Sequence, residues 1–120
     1  MRPDGTAIEE PGYDAATGYL YEPEVAFPRI PRALSQAMAS RALAALREPF
    51  DDFPFRSEAD RMAIVAAVLT IIARPAVAGS CPAFIIDAST PGSGKTLIAD
   101  AVAIIATGRG APRMTFSDDL

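Results

Sequence analysis

Eight residues near the C-terminal end, STPGSGKT at positions 89–96, combine small residues, a lysine and a hydroxyl at a spacing suited to phosphate binding. They fit the pattern G-x-x-x-x-G-K-[ST] except at the first place, where Ser89 replaces glycine. Serine is small, so we expect the loop geometry to tolerate it, while Pro91 removes one N-H and stiffens the loop. A glycine-rich turn can arise by chance, but this one follows an apolar strand pattern and precedes an apolar helix pattern. We therefore favour nucleotide phosphate binding.

The residue types in this loop have distinct physical roles. Gly92 and Gly94 let the backbone curl so that successive N-H groups point inward and form a nest for a β-phosphate. Lys95 is expected to reach the β and γ oxygens, and the Thr96 hydroxyl to ligate magnesium. The expected contacts with ATP and Mg²⁺ are Thr90, Pro91, Gly92, Ser93, Gly94, Lys95, Thr96 and Leu97, with Thr96 as the metal ligand.

Residues that could hydrolyse ATP are not identified by the sequence. Asp87 precedes the loop, whereas the acid that holds magnesium through water normally ends a different strand, so we interpret Asp87 as structural. Asp118 and Asp119 follow no apolar strand and are interpreted as a solvated terminal pair. Arg109 and Arg113 are interpreted as exposed loop arginines rather than as fingers that face a neighbouring nucleotide. The catalytic residues are therefore unknown at this stage.

A strand and a helix must hold such a loop in place. Residues 83–87, AFIID, form a short continuous apolar run that predicts a strand buried on both faces, as in a parallel sheet. The following KTLIADAVAIIA has helical length, and Gly108 is a natural C-cap. A buried parallel strand needs neighbours on both edges, and only one clear strand of this type is present. We expect the sheet to be incomplete.

Two further helices are predicted upstream of the loop. The first begins near Ala33 and ends before Pro49, and the second begins at Glu58, after the capping residue Ser57, and ends near Arg74. Three phenylalanines between the two helices are expected to fix the connecting loop to the core: Phe50, Phe53 and Phe55.

These patterns predict one structural unit in three successive parts. Residues 1–30 carry turn formers and short strand patterns and are expected to form a β-hairpin extension. Residues 31–80 form a helical segment, and residues 81–120 form the strand-loop-helix start of an ATPase domain. The predicted fold class is α/β: a P-loop NTPase-like strand-loop-helix, preceded by two helices and the N-terminal β-hairpin, with an incomplete sheet.

Composition excludes several classes of site. The net charge of -4 and the pI of about 4.7 argue against general attraction to a nucleic-acid backbone. The absence of histidine excludes imidazole bases, and the single Cys81 excludes an internal disulfide. The longest apolar run, residues 62–73, is shorter than the roughly 20 residues of a membrane span. With no signal-peptide pattern at the start, we expect a soluble, cytoplasmic protein without a membrane partner.

The loop STPGSGKT is similar to the G-P-P-G-T-G-K-T loop typical of AAA+ ATPases. Several segments together resemble the central region of helicase or primase-helicase-like ATPases of phages, prophages and other mobile elements; in order they are RPDGTAIEEPGYDAATGYLYEP, PFDDFPF, SEADRMAIVAAVLTIIARP and FIIDASTPGSGKTLIADAVAIIATGR. The resemblance covers nearly the whole chain. It implies ATP hydrolysis linked to DNA replication, with Gly94, Lys95 and Thr96 in the binding roles above. It also implies that the chain is a fragment, because the acidic strand, sensors and arginine fingers of the family have no matching positions.

Three functions stay open at this point. The leading hypothesis is the N-terminal part of a replication-associated ATPase that binds ATP and Mg²⁺ but does not turn ATP over alone. DNA, bound through the full-length protein, and further copies of the chain are then candidate partners. The alternative is a non-catalytic nucleotide-binding or assembly module. A small-molecule kinase is the weakest hypothesis, since no lid or substrate-binding arginine cluster is recognisable.

Overall fold

The computed structural model describes residues 1–114, which contain a two-stranded sheet and three α-helices. The strands are β1 (Gly12–Asp14) and β2 (Tyr19–Tyr21), and the helices are α1 (Gln36–Arg47), α2 (Glu58–Ala73) and α3 (Lys95–Thr107). Single 3₁₀ turns, Glu48–Phe50 and Arg74–Ala76, follow α1 and α2.

The two strands form an antiparallel hairpin in which Tyr13 pairs with Leu20. The side chain of Asp14 organises the turn, because its Oδ2 accepts hydrogen bonds from the backbone N-H and the hydroxyl of Thr17 at 3.1 and 2.8 Å. Arg2 donates to the other carboxylate oxygen from Nε at 2.8 Å. These hydrogen bonds, first that from Arg2 and then those from Thr17, hold the pKa of Asp14 below its ordinary value. The hairpin is thus tied to the start of the chain.

Serine caps set the first residues of α1 and α2. Ser35 accepts a hydrogen bond from the Met38 N-H at 3.3 Å, so α1 begins at Gln36, slightly later than the sequence predicts. Ser57 caps α2 through the Asp60 N-H at 3.1 Å, as the capping pattern predicts.

The core lies between α2 and α3, which pack against each other. Val65, Val68 and Phe50 are almost completely buried, and Phe53 and Phe55 pack against the core cluster as the sequence predicts. Burying a side chain of this size contributes about 1.5–3 kcal/mol. In contrast, α1 has no buried residue. Of its apolar side chains, only the half-buried Leu46 packs against the core. The core is therefore small and is concentrated around two helices.

The strand predicted at residues 83–87 is not formed within residues 1–114, where the hairpin is the only sheet. A strand is defined by hydrogen bonds to a neighbour, and the described part of the chain offers this segment no second strand to pair with. Ile86 packs against the core, whereas the side chain of Ile85 is 92% exposed. The prediction of a strand buried on both faces is therefore wrong, and the segment is an unpaired connection between α2 and the loop.

Candidate functional site

The glycine-containing loop lies between this unpaired segment and the N-terminus of α3. Gly92 and Gly94 adopt left-handed backbone conformations, with φ of 76° and 86°. Gly94 is the N-cap of α3, and its carbonyl accepts the Ile98 N-H at 2.9 Å. Because Gly94 has no side chain, the first N-H groups of the 13-residue α3 receive no capping side-chain oxygen from that residue. This end of α3 has the electrostatic character of an anion site.

Glycine is required at position 94 for a second reason, which is a close contact with Phe53. A Cβ atom added to Gly94 would lie 3.1 Å from the Cε1 atom of Phe53. The Phe53 ring is itself packed between two others, with centroids 6.4 Å from Phe50 and 6.2 Å from Phe55. At Gly92 an added Cβ would meet nothing within 4 Å. The loop therefore rests on the aromatic cluster at Gly94 and is open at Gly92.

Lys95, the first residue of α3, is the only lysine in the 120-residue chain. Its side chain is directed back toward the start of the loop, where Nζ donates to the Ala88 carbonyl at 3.4 Å. That distance is long for a hydrogen bond of this kind, so the bond is weak. The ammonium group is thus held beside the loop by a contact that a stronger acceptor can replace.

Ser93 carries a buried hydroxyl oxygen that has no hydrogen-bond partner within the described residues. Burying a hydroxyl without a hydrogen-bond partner lowers the stability of a protein by about 1–3 kcal/mol. Buried hydroxyls therefore normally have a partner. The sequence pattern includes Ser93 only as a loop position, and this unsatisfied hydroxyl is a feature that the pattern could not reveal.

A cavity of about 410 Å³ lies beside the loop. Of the predicted contacts, it is lined by Thr90, Ser93 and Lys95. Its other walls include the aromatic rings of Phe53 and Phe55. The volume is within the range of small-molecule sites, whose linings typically combine apolar walls with a few polar groups.

Arg56 is a second cation in this cavity that the sequence pattern missed. Its side chain is exposed, and the neighbouring acids in the cavity lining are Asp60 and Asp87. Asp60 is hydrogen-bonded to the Ser57 hydroxyl at 2.9 Å, and Asp87 to the Ala88 N-H at 2.8 Å. No distinctive spacing marks Arg56 in the sequence, and it is recognisable only because the loop before α2 folds against the glycine loop.

The other predicted contacts do not line the cavity. Pro91 and Gly92 are exposed at the tip of the loop, and Thr96 and Leu97 are exposed on the first turn of α3. Leu97 is 61% exposed, so it is not part of the core formed by Ile98 and Val102. Leu97 is therefore free to contact a ligand at this end of α3.

Among the described acids and arginines considered for hydrolysis, Asp87 lines the cavity and Arg113 is paired with an acid of α3. Arg113 donates to Asp100 at 2.5 Å, and Arg109 follows the C-terminal end of α3, opposite the loop. Asp118 and Asp119 lie outside the described residues. Within residues 1–114 no group of three or more acidic or cysteine side chains is placed to hold a metal ion.

None of the three helices in the described part of the chain is long and apolar enough to cross a bilayer. Comparison with known proteins gives no match to a family model, a curated protein or a solved structure.

Proposed function

We propose that the chain binds ATP and Mg²⁺ through residues 89–97, as part of a helicase-like ATPase associated with DNA replication. The observation that carries the proposal is the convergence of the Lys95 ammonium, the unpaired Ser93 hydroxyl and the N-terminus of α3 on one loop. Each of these is a donor, and together they match the acceptor oxygens of a polyphosphate.

The phosphates occupy the concave side of the loop in this proposal. The N-terminal N-H groups of α3 and the helix dipole favour an anion there. Lys95 exchanges its long bond to the Ala88 carbonyl for a phosphate oxygen, because charge-assisted bonds are shorter and about twice as strong as neutral ones. The Ser93 hydroxyl gains the partner that it lacks in the described structure.

Thr96 holds the magnesium ion in this proposal. Mg²⁺ is usually bound by one or two protein oxygens together with phosphates and water, so a single hydroxyl beside the phosphates fits the ion. Thr96 is exposed on the first turn of α3, next to Lys95. When bound, the ion neutralises charge on the β and γ oxygens.

The apolar part of the cavity receives the base. This part of the cavity is lined by Phe53 and Phe55 and by the cation Arg56. Stacking of a base on aromatic side chains contributes about 1–3 kcal/mol without requiring a particular base. Binding is therefore expected to depend on the whole nucleotide and not on the phosphates alone.

Hydrolysis is assigned to partners of this chain. We propose that further copies, or other parts of a full-length protein, supply the acid and the arginine that turnover needs, and that DNA is contacted there. The net charge of -4 agrees with a DNA contact outside this region. A cytoplasmic location belongs to the same proposal.

A non-catalytic assembly module is the second candidate, and the exposed segment of residues 83–87 favours it. Such a module binds ATP as a ligand and pairs with another chain, which supplies the strands that are missing beside residues 83–87. Saturable ATP binding without phosphate release at any protein concentration would favour this candidate over the ATPase.

Calorimetric titration of ATP and Mg²⁺, with phosphate release assayed on the same samples, tests the proposal. Lys95→Ala is expected to weaken binding about 10- to 100-fold, since a hydrogen bond to a charged group contributes about 1.5–3 kcal/mol. Arg109→Ala is the matched control, because it removes one positive charge at the other end of α3, about 20 Å away, and should leave binding unchanged. Equal effects of the two variants, or no binding by folded wild-type chain, would overturn the proposal.

A further inference from the structure

Arg61, near the start of α2, is a partly buried cation to which the proposed binding of ATP gives no role. Its side chain is 22% exposed, and its Nε atom is buried without a hydrogen-bond partner among the described residues. Nε lies 3.7 Å from Oε2 of Glu58, which is too far for a hydrogen bond. Burying part of a guanidinium group costs free energy unless its contacts compensate, so other contacts must hold the side chain in place.

Those contacts join Arg61 to both ends of the loop that connects α1 to α2. Nη1 donates a hydrogen bond to Oδ1 of Asp51 at 2.6 Å, near the start of the loop. The guanidinium carbon lies over the ring of Phe55, near the end of the loop, at 5.6 Å from the ring centre. At this distance a cation is attracted to the face of an aromatic ring. Arg61 therefore restrains both Asp51 and the Phe55 ring.

Phe55 connects Arg61 to the candidate site. The ring lines the cavity beside the glycine loop, and its centre is 6.2 Å from that of Phe53. Phe53 has a second aromatic neighbour, the fully buried Phe50, at 6.4 Å. Loss of Arg61 therefore frees the orientation of Phe55 and leaves Phe53 packed on Phe50.

We propose that Arg61 is a positioning residue that orients Phe55 for the base of a nucleotide, and that it makes the site selective for nucleoside triphosphates over inorganic polyphosphate. This inference rests on the proposed binding of ATP, since that proposal places a base in the apolar part of the cavity. A stacked base needs a ring in one orientation, and a ring that is already restrained loses less conformational freedom when the base binds.

The phosphates are bound elsewhere in this proposal, by the glycine loop and the N-terminus of α3. Arg61 does not line the cavity, and within residues 1–114 no ion pair or hydrogen bond of its side chain reaches the glycine loop. Removal of Arg61 should therefore weaken the binding of the base and spare the binding of the phosphates.

Calorimetric titration with two ligands, ATP and inorganic tripolyphosphate, each with Mg²⁺, tests the inference. Arg61→Ala should lower the affinity for ATP about 5- to 10-fold, the low end of what one stacked base contributes, and change the affinity for tripolyphosphate by less than about twofold. Arg47→Ala is the matched control, because it removes the same charge from another partner of Glu58, at 2.6 Å, and Arg47 does not line the cavity. The control should change neither affinity.

Two further variants separate the positioning of Phe55 from a general loss of stability. In a Phe55→Leu chain the ring is absent, so the addition of Arg61→Ala should lower the affinity for ATP no further. Asp51→Ala removes the ion-pair partner of Arg61 at an exposed position. It should lower the affinity for ATP in the same direction as Arg61→Ala, with the helical circular dichroism of the wild-type chain.

Lys95→Ala distinguishes a failure of this inference from a failure of the proposed function. It should weaken the binding of both ligands, because Lys95 acts on the phosphates. A folded wild-type chain that binds neither ligand, or a Lys95→Ala chain that keeps both affinities, would overturn the proposed function and this inference with it. Equal loss of the two affinities in Arg61→Ala, equal effects of Arg61→Ala and Arg47→Ala on ATP, or a further loss when Arg61→Ala is added to Phe55→Leu would overturn the role of Arg61 alone.

Discussion

Replacing Gly94 by alanine tests whether the aromatic cluster supports the glycine loop. Alanine in the left-handed conformation found here, with φ of 86°, costs about 1–2 kcal/mol from the backbone alone. The new methyl group would also lie 3.1 Å from the ring of Phe53, which must then move. Crowding of a packed site costs about 1–3 kcal/mol, and the lower end applies because Phe53 is only half-buried. The expected loss of unfolding free energy is therefore about 2–3 kcal/mol.

Gly92→Ala is the matched comparison for this prediction. Its φ of 76° imposes nearly the same backbone cost, but an added Cβ meets nothing within 4 Å. The effect of alanine on the unfolded chain is the same at both positions and cancels in the difference. Gly94→Ala should thus be about 1 kcal/mol more destabilising than Gly92→Ala.

Urea unfolding followed by circular dichroism measures both losses. Adding Phe53→Leu to each glycine variant should remove the difference between Gly94→Ala and Gly92→Ala, because the smaller side chain makes room for the methyl group. If the two alanine variants lose the same free energy in the presence of Phe53, the aromatic ring does not restrain the loop, and this reasoning is refuted.

Other perturbations test the core, a helix cap and the hairpin. Phe50→Ala should cost about 3–5 kcal/mol in urea unfolding because the ring is fully buried, whereas Phe27→Ala, at a side chain 66% exposed, should change stability by less than about 0.5 kcal/mol. Ser57→Ala should lower the unfolding free energy by about 1 kcal/mol and shorten α2, as seen by circular dichroism and amide exchange. The hydrogen bond from Arg2 lowers the pKa of Asp14 from 3.8, so the unfolded hairpin binds more protons in acid. This contribution to hairpin stability is fully present above the unfolded-state pKa of 3.8, and it is lost as pH falls through the lower pKa that Asp14 has in the folded chain. NMR titration should detect this loss in the native chain and not in Asp14→Asn.

The elements that sequence reasoning predicts well are those determined by local chemistry. The caps of α2 and α3 follow from Ser57 and Gly108, since each satisfies helix-end groups with neighbours only a few residues away. The burial of Phe50 follows from its place between two apolar helix patterns. The sequence predicts the start of α1 near Ala33, which is too early, because the apolar pattern does not reveal that Ser35 caps the helix.

The features that sequence reasoning misses depend on contacts distant in sequence. The prediction of a strand at residues 83–87 used an apolar run, but a strand also needs a partner, which a local pattern cannot supply. The contact of Phe53 with Gly94 joins positions 41 residues apart, which is 94 minus 53, and no motif contains both. Arg56 reaches the cavity for the same reason. At the candidate site the sequence therefore predicts which residues would bind phosphate, and the fold adds the residues that surround them.

The absence of buried residues in α1 determines how the molecule opens. A 12-residue helix is marginal in water by itself, and this one is held mainly by Leu46 and by the ion pair of Arg47 with Glu58 at 2.6 Å. Exposed ion pairs of this kind contribute about 0–1 kcal/mol. The amides of α1 should therefore exchange through local unfolding that costs little free energy, while those of Val65 and Val68 exchange only when the α2–α3 core opens. The segment that carries the glycine loop can stay folded through many openings of α1.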